Sequence, residues 1–155
     1  MTTLQQMAKH FRDVHFGGNW TSVNLKDTLA DVDWQMATTP VHSLNTIAVL
    51  VFHVNYYVSA VLKVLQGGQL QASDKFSFDL PPITSEEEWQ QLVTKTLAEA
   101  ATFADAMEQL EDKQLAEDFT DGKYGTWYRN LAGIIEHTHY HLGQITIIKK
   151  IIKGT

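Results

Sequence analysis

Residues 42–65, HSLNTIAVLVFHVNYYVSAVLKVL, decide the fold. The stretch is rich in β-branched residues (Ile47, Val49, Val51, Val54, Val58), which favour strands. Its length argues the other way, because strands rarely exceed ten residues and this run exceeds twenty without a break. Apolar side chains fall on nearly every side, so the sequence predicts a helix buried in a core. Gly67-Gly68 ends it.

Working outward, the same helical period recurs. Leu4, Met7, Ala8, Phe11 and Val14 or His15 form one stripe, broken at Phe16-Gly17-Gly18-Asn19. A short segment at 22–31 carries Val23, Leu25 and Leu29, and Thr38-Thr39-Pro40 breaks the chain again. After the long apolar helix, residues 69–83 read as a loop with Pro81-Pro82 as its stop signal. Ser85 and Glu88 then predict a capping box, the serine accepting from the Glu88 amide and the glutamate reaching back. The following stripe runs from Trp89 through Leu92, Phe103 and Met107 to Leu110. Asp121-Gly122 marks a turn, and Thr126 is the expected N-cap of a last helix over about 127–152. Lys149, Lys150 and Lys153 complement the negative end of its dipole. Four long helices with a loop-rich crossover between the second and third predict an all-α fold, a four-helix bundle forming one domain over residues 1–155.

Composition narrows the function. The 155 residues include no cysteine, which excludes disulfides, thiolate metal sites and a cysteine nucleophile. A net charge of −6 argues against a nucleic-acid partner. The N-terminus lacks a basic start and an apolar leader, and no apolar run reaches the roughly 20 residues of a membrane span. No membrane association and a cytoplasmic setting are the expectations.

Seven histidines remain to be explained. In Glu136-His137-Thr138-His139-Tyr140-His141-Leu142-Gly143-Gln144-Ile145, His137 and His141 stand four apart, about one helical turn or roughly 6 Å on one face. That face also carries Asn130, Ile134, Ile145, Ile148 and Ile152, the inward stripe. His139 falls on the opposite side, toward solvent. His53 lies amid Val49, Leu50, Tyr57, Ala60, Val61 and Val64 on the buried helix, where an unpartnered imidazole is costly. Packing the second long helix on the fourth brings His53 to His137 and His141. Three histidines with no fourth protein ligand describe an open site of catalytic type. Tyr57, one turn from His53, and Asn130 are expected to line the pocket, with Gln144 as a donor behind the ligands. His10, His15 and His42 read as structural or surface residues. Thr138 stands where a zincin needs its glutamate, and Glu136 with His139 forms only one of the two E-x-x-H units of a di-iron bundle. Haem ligation through Met7 is disfavoured, since methionines at helical spacing fill cores. A hydrogen-bonded core histidine is the bland alternative at each position.

His53 on an apolar second helix, followed by His137-x-x-x-His141-Leu142-Gly143-Gln144, resembles the DinB-like (DinB/YfiT-like) superfamily of four-helix metalloproteins. Gly18-Asn19-Trp20, His42-Ser43-Leu44 and Glu88-Trp89 agree in order, so the resemblance spans nearly the whole chain. It implies His53, His137 and His141 as ligands of a divalent ion, zinc or nickel, often in a homodimer. It also implies a small-molecule substrate and, in the characterised cases, a low-molecular-weight thiol cofactor. Three functions follow as expectations. The first is a metal-dependent thiol S-transferase, the second a metal-dependent hydrolase, the third a non-catalytic, stress-related ligand-binding module. A purely structural role for the histidines completes the set.

Overall fold

The computed structural model describes all 155 residues, and the chain is all-helical. Four helices are long: α1 (Thr3–Phe16), α4 (Ile47–Leu65), α5 (Glu86–Glu108) and α6 (Trp127–Lys153). Two single-turn helices, α2 (Leu25–Leu29) and α3 (Trp34–Thr38), lie between α1 and α4. Short 3₁₀ turns occupy Asp74–Phe76 and Asp112–Ala116. Each long helix packs against two others, α4 on α5 and α6, and α1 on the same pair.

Local chemistry sets the ends. Thr2 and Gln5 cap α1 reciprocally, and the carboxylate of Asp112 accepts from the amides of Thr3 (2.7 Å) and Leu4 (2.9 Å). This ties the start of α1 to the turn before α6. The apolar helix begins at Ile47, later than the sequence predicts, because Thr46 accepts from the Val49 amide and His42 sits at φ +49° in the left-handed region. Pro40 accordingly lies in the connection before this helix. Ser85 caps α5 as expected, but the Glu88 carboxylate reaches one residue further back, to the amide (2.7 Å) and hydroxyl (3.0 Å) of Thr84. Thr126 caps α6 through the Arg129 amide. Lys149 and Lys153 both reach Asp31 on the α2–α3 connection rather than their own helix end.

The core runs along all four long helices. Trp89, fully buried, donates its indole N–H to the Val32 carbonyl at 2.7 Å and pins α5 to the α2–α3 segment. α4 is the one helix long and apolar enough to cross a membrane, and most of its length is taken up by this core. That burial on two sides explains its tolerance of β-branched residues. Their cost in helix propensity is a few tenths of a kcal/mol each, while burying each side chain returns about 1.5–3 kcal/mol.

Candidate metal centre

α4 and α6 cross so that the three histidines meet. His53 and His141 are 5% and 7% exposed, His137 is half-buried, and the candidate ligand nitrogens lie within 4.8 Å of one another. The ring centroids are 4.5–4.8 Å apart in all three pairings. His53 Nε2 stands 3.0 Å from His137 Nε2.

The outer nitrogens of two rings decide their tautomers. His53 Nδ1 is 3.2 Å from the Ser77 carbonyl, which only accepts, so Nδ1 carries the proton and Nε2 presents a lone pair. His141 Nδ1 is 2.7 Å from Gln144 Oε1, an arrangement assigned together with the bond from Gln144 Nε2 to the Tyr140 hydroxyl at 3.3 Å. It likewise leaves Nε2 of His141 as an acceptor. Two lone pairs thus face one small volume beside a third imidazole, a donor set that suits a divalent ion. Tetrahedral coordination at 2.0–2.1 Å places ligand nitrogens about 3.3 Å apart, inside the observed range of 3.0 Å to 4.8 Å. Burial pushes the His137 imidazole down to about 4, helped by the neighbouring His141 and His53, and burial also lowers His53. Both rings are therefore neutral at pH 7, the form that ligates.

The segment between α4 and α5 closes one side of the site. Phe78 stacks on the His53 ring at 3.8 Å with the planes 9° apart. Ser73 exchanges hydrogen bonds with the Tyr56 hydroxyl, accepting through its carbonyl (3.0 Å) and donating through its amide (2.8 Å). Asp74 accepts from the Tyr57 hydroxyl at 2.6 Å. Two tyrosines of α4 therefore hold a strap of residues 73–78 across His53, and the strap orients His53 through Ser77.

The other side is open. A cleft of about 390 Å³ is lined by Tyr57, Arg129, Asn130, Gly133, Glu136 and His137, among others. The Tyr57 ring stands nearly perpendicular to both His53 (5.3 Å) and His137 (5.1 Å). Asn130 lines the cleft as expected, but its amide nitrogen is committed to the carbonyls of Tyr124 (3.0 Å) and Thr126 (2.8 Å). Gln144 accepts from its histidine rather than donating.

One histidine departs from the sequence reading, and His15 takes the structural role of the two read for it. His139 is half-buried beside His10 on α1, the rings 6.0 Å apart, because α1 packs on that flank of α6. His15 is fully buried, donating from Nδ1 to the Phe11 carbonyl at 3.0 Å and packed on the Phe11 ring. Its Nε2 has no partner. Sequence reasoning missed Asp74, Ser77 and Phe78, which come from a loop without periodicity. It also missed Arg129 and Gly133, which i, i+4, i+8 spacing to His137 could have revealed.

No family model matches this chain, and no curated protein matches it. Among solved structures, it is similar to a conserved protein from Enterococcus faecalis, with a TM-score of 0.73 and 20% identity over 100% of this chain and 99% of that one. At that identity the likeness is one of fold.

Proposed function

We propose that this chain is a DinB-like four-helix bundle, α4 and α5 joined by a crossover loop, in which His53, His137 and His141 hold one zinc or nickel ion. We further propose that it transfers an external low-molecular-weight thiol to an electrophilic small molecule. The observation that carries this reading is the convergence of three imidazoles, two with outer nitrogens fixed by Ser77 and Gln144, at the edge of an open cleft. A bound divalent ion supplies the acidity that makes a thiol nucleophilic near neutral pH. The chain supplies the rest. Ser77 and Gln144 fix the ring orientations, Phe78 covers one face of His53, and the open cleft reaches the cluster at His137. With no cysteine in the sequence, the reacting sulfur comes from outside.

Hydrolysis is the second reading, and one observation favours it. Glu136 lines the same cleft as His137, where a carboxylate can take a proton from an attacking water. Pairing of two copies along α6 is part of the proposal as well. Tyr140, Ile147 and Ile151 are large, apolar and exposed at i, i+7 and i+11 on that helix.

Protein purified without chelator should carry about one divalent ion per chain, and His53→Ala or His141→Ala should lose it with their helicity intact. Zinc at 1,000 times its Kd should stabilise the wild type by about 4 kcal/mol. Metal-free wild type whose melting temperature ignores added zinc and nickel refutes the centre. A panel of thiols and electrophiles against a panel of esters and amides then separates transfer from hydrolysis.

A further inference from the structure

The open cleft ends at His137, and its opposite end is built around an arginine. The chain has two arginines. Arg12 is neutralised by Asp105 and Glu108, whereas Arg129 meets no carboxylate. Its Nη1 donates to the Tyr124 carbonyl at 3.2 Å. Its stem lies over Gly125, where an added Cβ would stand 3.0 Å from Arg129 Cδ and where φ is +81°. A bare backbone and one carbonyl thus hold the guanidinium in place while its remaining donors stay free. Gly133 is midway along the same side of α6 and lines the cleft, with nothing within 4 Å of where its Cβ would be. Glycine inside a helix costs roughly 0.5–1 kcal/mol relative to alanine, and here it keeps the cleft floor low.

Arg129, Gly133 and His137 follow one another at four-residue steps, so eight residues separate the ends, about 12 Å along the helix axis. We infer that Arg129 is the specificity residue of this cleft, docking the carboxylate of an elongated small molecule whose reacting group lies at the histidine end. The fit is to a molecule about the length of a tripeptide, roughly 10 Å extended. A planar guanidinium favours a carboxylate through paired N–H···O bonds. Glu136 at the histidine end disfavours a second negative charge there, so the anionic group belongs at the arginine end. This inference rests on the proposed function for the identity of the reacting end only.

The test uses glutathione and its diethyl ester, equal in thiol and backbone but different in carboxylate charge, titrated calorimetrically into zinc-loaded protein. Wild type should bind the acid at least tenfold more tightly than the ester. Arg129→Gln should bring the two within about twofold with zinc affinity unchanged, Arg129→Lys should restore part of the preference, and Gly133→Val should weaken both ligands. A preference that survives Arg129→Gln overturns the assignment. A second arm is independent of the ion: glutarate added to metal-free protein should shift the Arg129 side-chain N–H and the Gly133 amide in NMR spectra, and not in Arg129→Gln. If glutarate produces those shifts in a protein that binds no metal, only the metal reading fails. If zinc binds and glutarate leaves both signals still, only the arginine assignment fails.

Discussion

Acid should destabilise this protein well above the range where its carboxylates titrate, and His15 is the residue that makes it do so. The ring is fully buried, its Nε2 lacks a partner, and burial pushes it down to about 4 from an ordinary 6.5. The folded state thus binds fewer protons than the unfolded state between those values, and stability falls as the pH falls through that window. Between pH 7 and pH 5 the linkage integral for one such group, RT ln[(1+10^(6.5−pH))/(1+10^(4−pH))], rises from about 0.2 to about 2.0 kcal/mol, so His15 alone removes about 1.8 kcal/mol. Glu88, Glu108, Asp112 and Asp31 are held below their ordinary values, so their contributions are lost at lower pH, mostly outside this window. His53 and His137 are depressed too, so the measurement is a difference between proteins. Urea unfolding followed by far-ultraviolet circular dichroism, with chelator present, should give the His15→Leu variant about 1.8 kcal/mol less loss between pH 7 and pH 5 than wild type. At pH 7 the variant should be no less stable, since it removes an unpaired buried nitrogen. Equal losses in the two proteins, within 0.5 kcal/mol, would refute the reasoning.

Gln144→Leu removes the acceptor from His141 Nδ1 and should weaken zinc binding 10–100-fold with the fold intact, as read by competition with a chromophoric chelator. Unchanged affinity would mean that Gln144 does not orient the ring. Ile147→Asp with Ile151→Asp places charge on the exposed face of α6 and should convert a dimer to a monomer in light scattering. A wild type that is already monomeric at high micromolar concentration removes the paired-copy part of the proposal.

The parts of the fold that were legible in the sequence are those fixed by local period. Residues 47–65 are helical despite seven β-branched positions because length and all-round apolarity outweigh propensity. His137 and His141 share a face because four residues make one turn, and His53 joins them because an inward imidazole on α4 meets the inward side of α6. What stayed hidden depends on distant partners. α3 has five residues and rests on an Asp33 cap, and Trp34 donates its amide to Glu86, 52 positions away. The strap over His53 is set by Tyr56 and Tyr57 hydroxyls 17 residues from their partners, and no periodicity in residues 73–78 announces it. Position 15 was one of two candidates for the end of the α1 stripe. Both Val14 and His15 are buried, because the chain turns back at Gly17, φ +117°, and folds over that end of the helix.

The two sides of the histidine cluster are built by opposite means, and the contrast bears on how the site works. Toward the α4–α5 segment, the polar groups that meet the strap are paired: Ser77 on Nδ1 of His53, Asp74 on Tyr57, Ser73 on Tyr56. Phe78 then covers the ring. Such a satisfied network holds geometry without needing water. Toward the cleft, the groups are left short of partners: Arg129 without a carboxylate, Gly133 without a side chain, and His137 with its Nε2 toward His53 alone. A site that only stabilised the fold would gain nothing from a free guanidinium facing an unfilled floor. Rigidity on the strap side with unmet bonding capacity on the cleft side is the division expected where ligand orientation must be fixed before a molecule arrives and completes the open face.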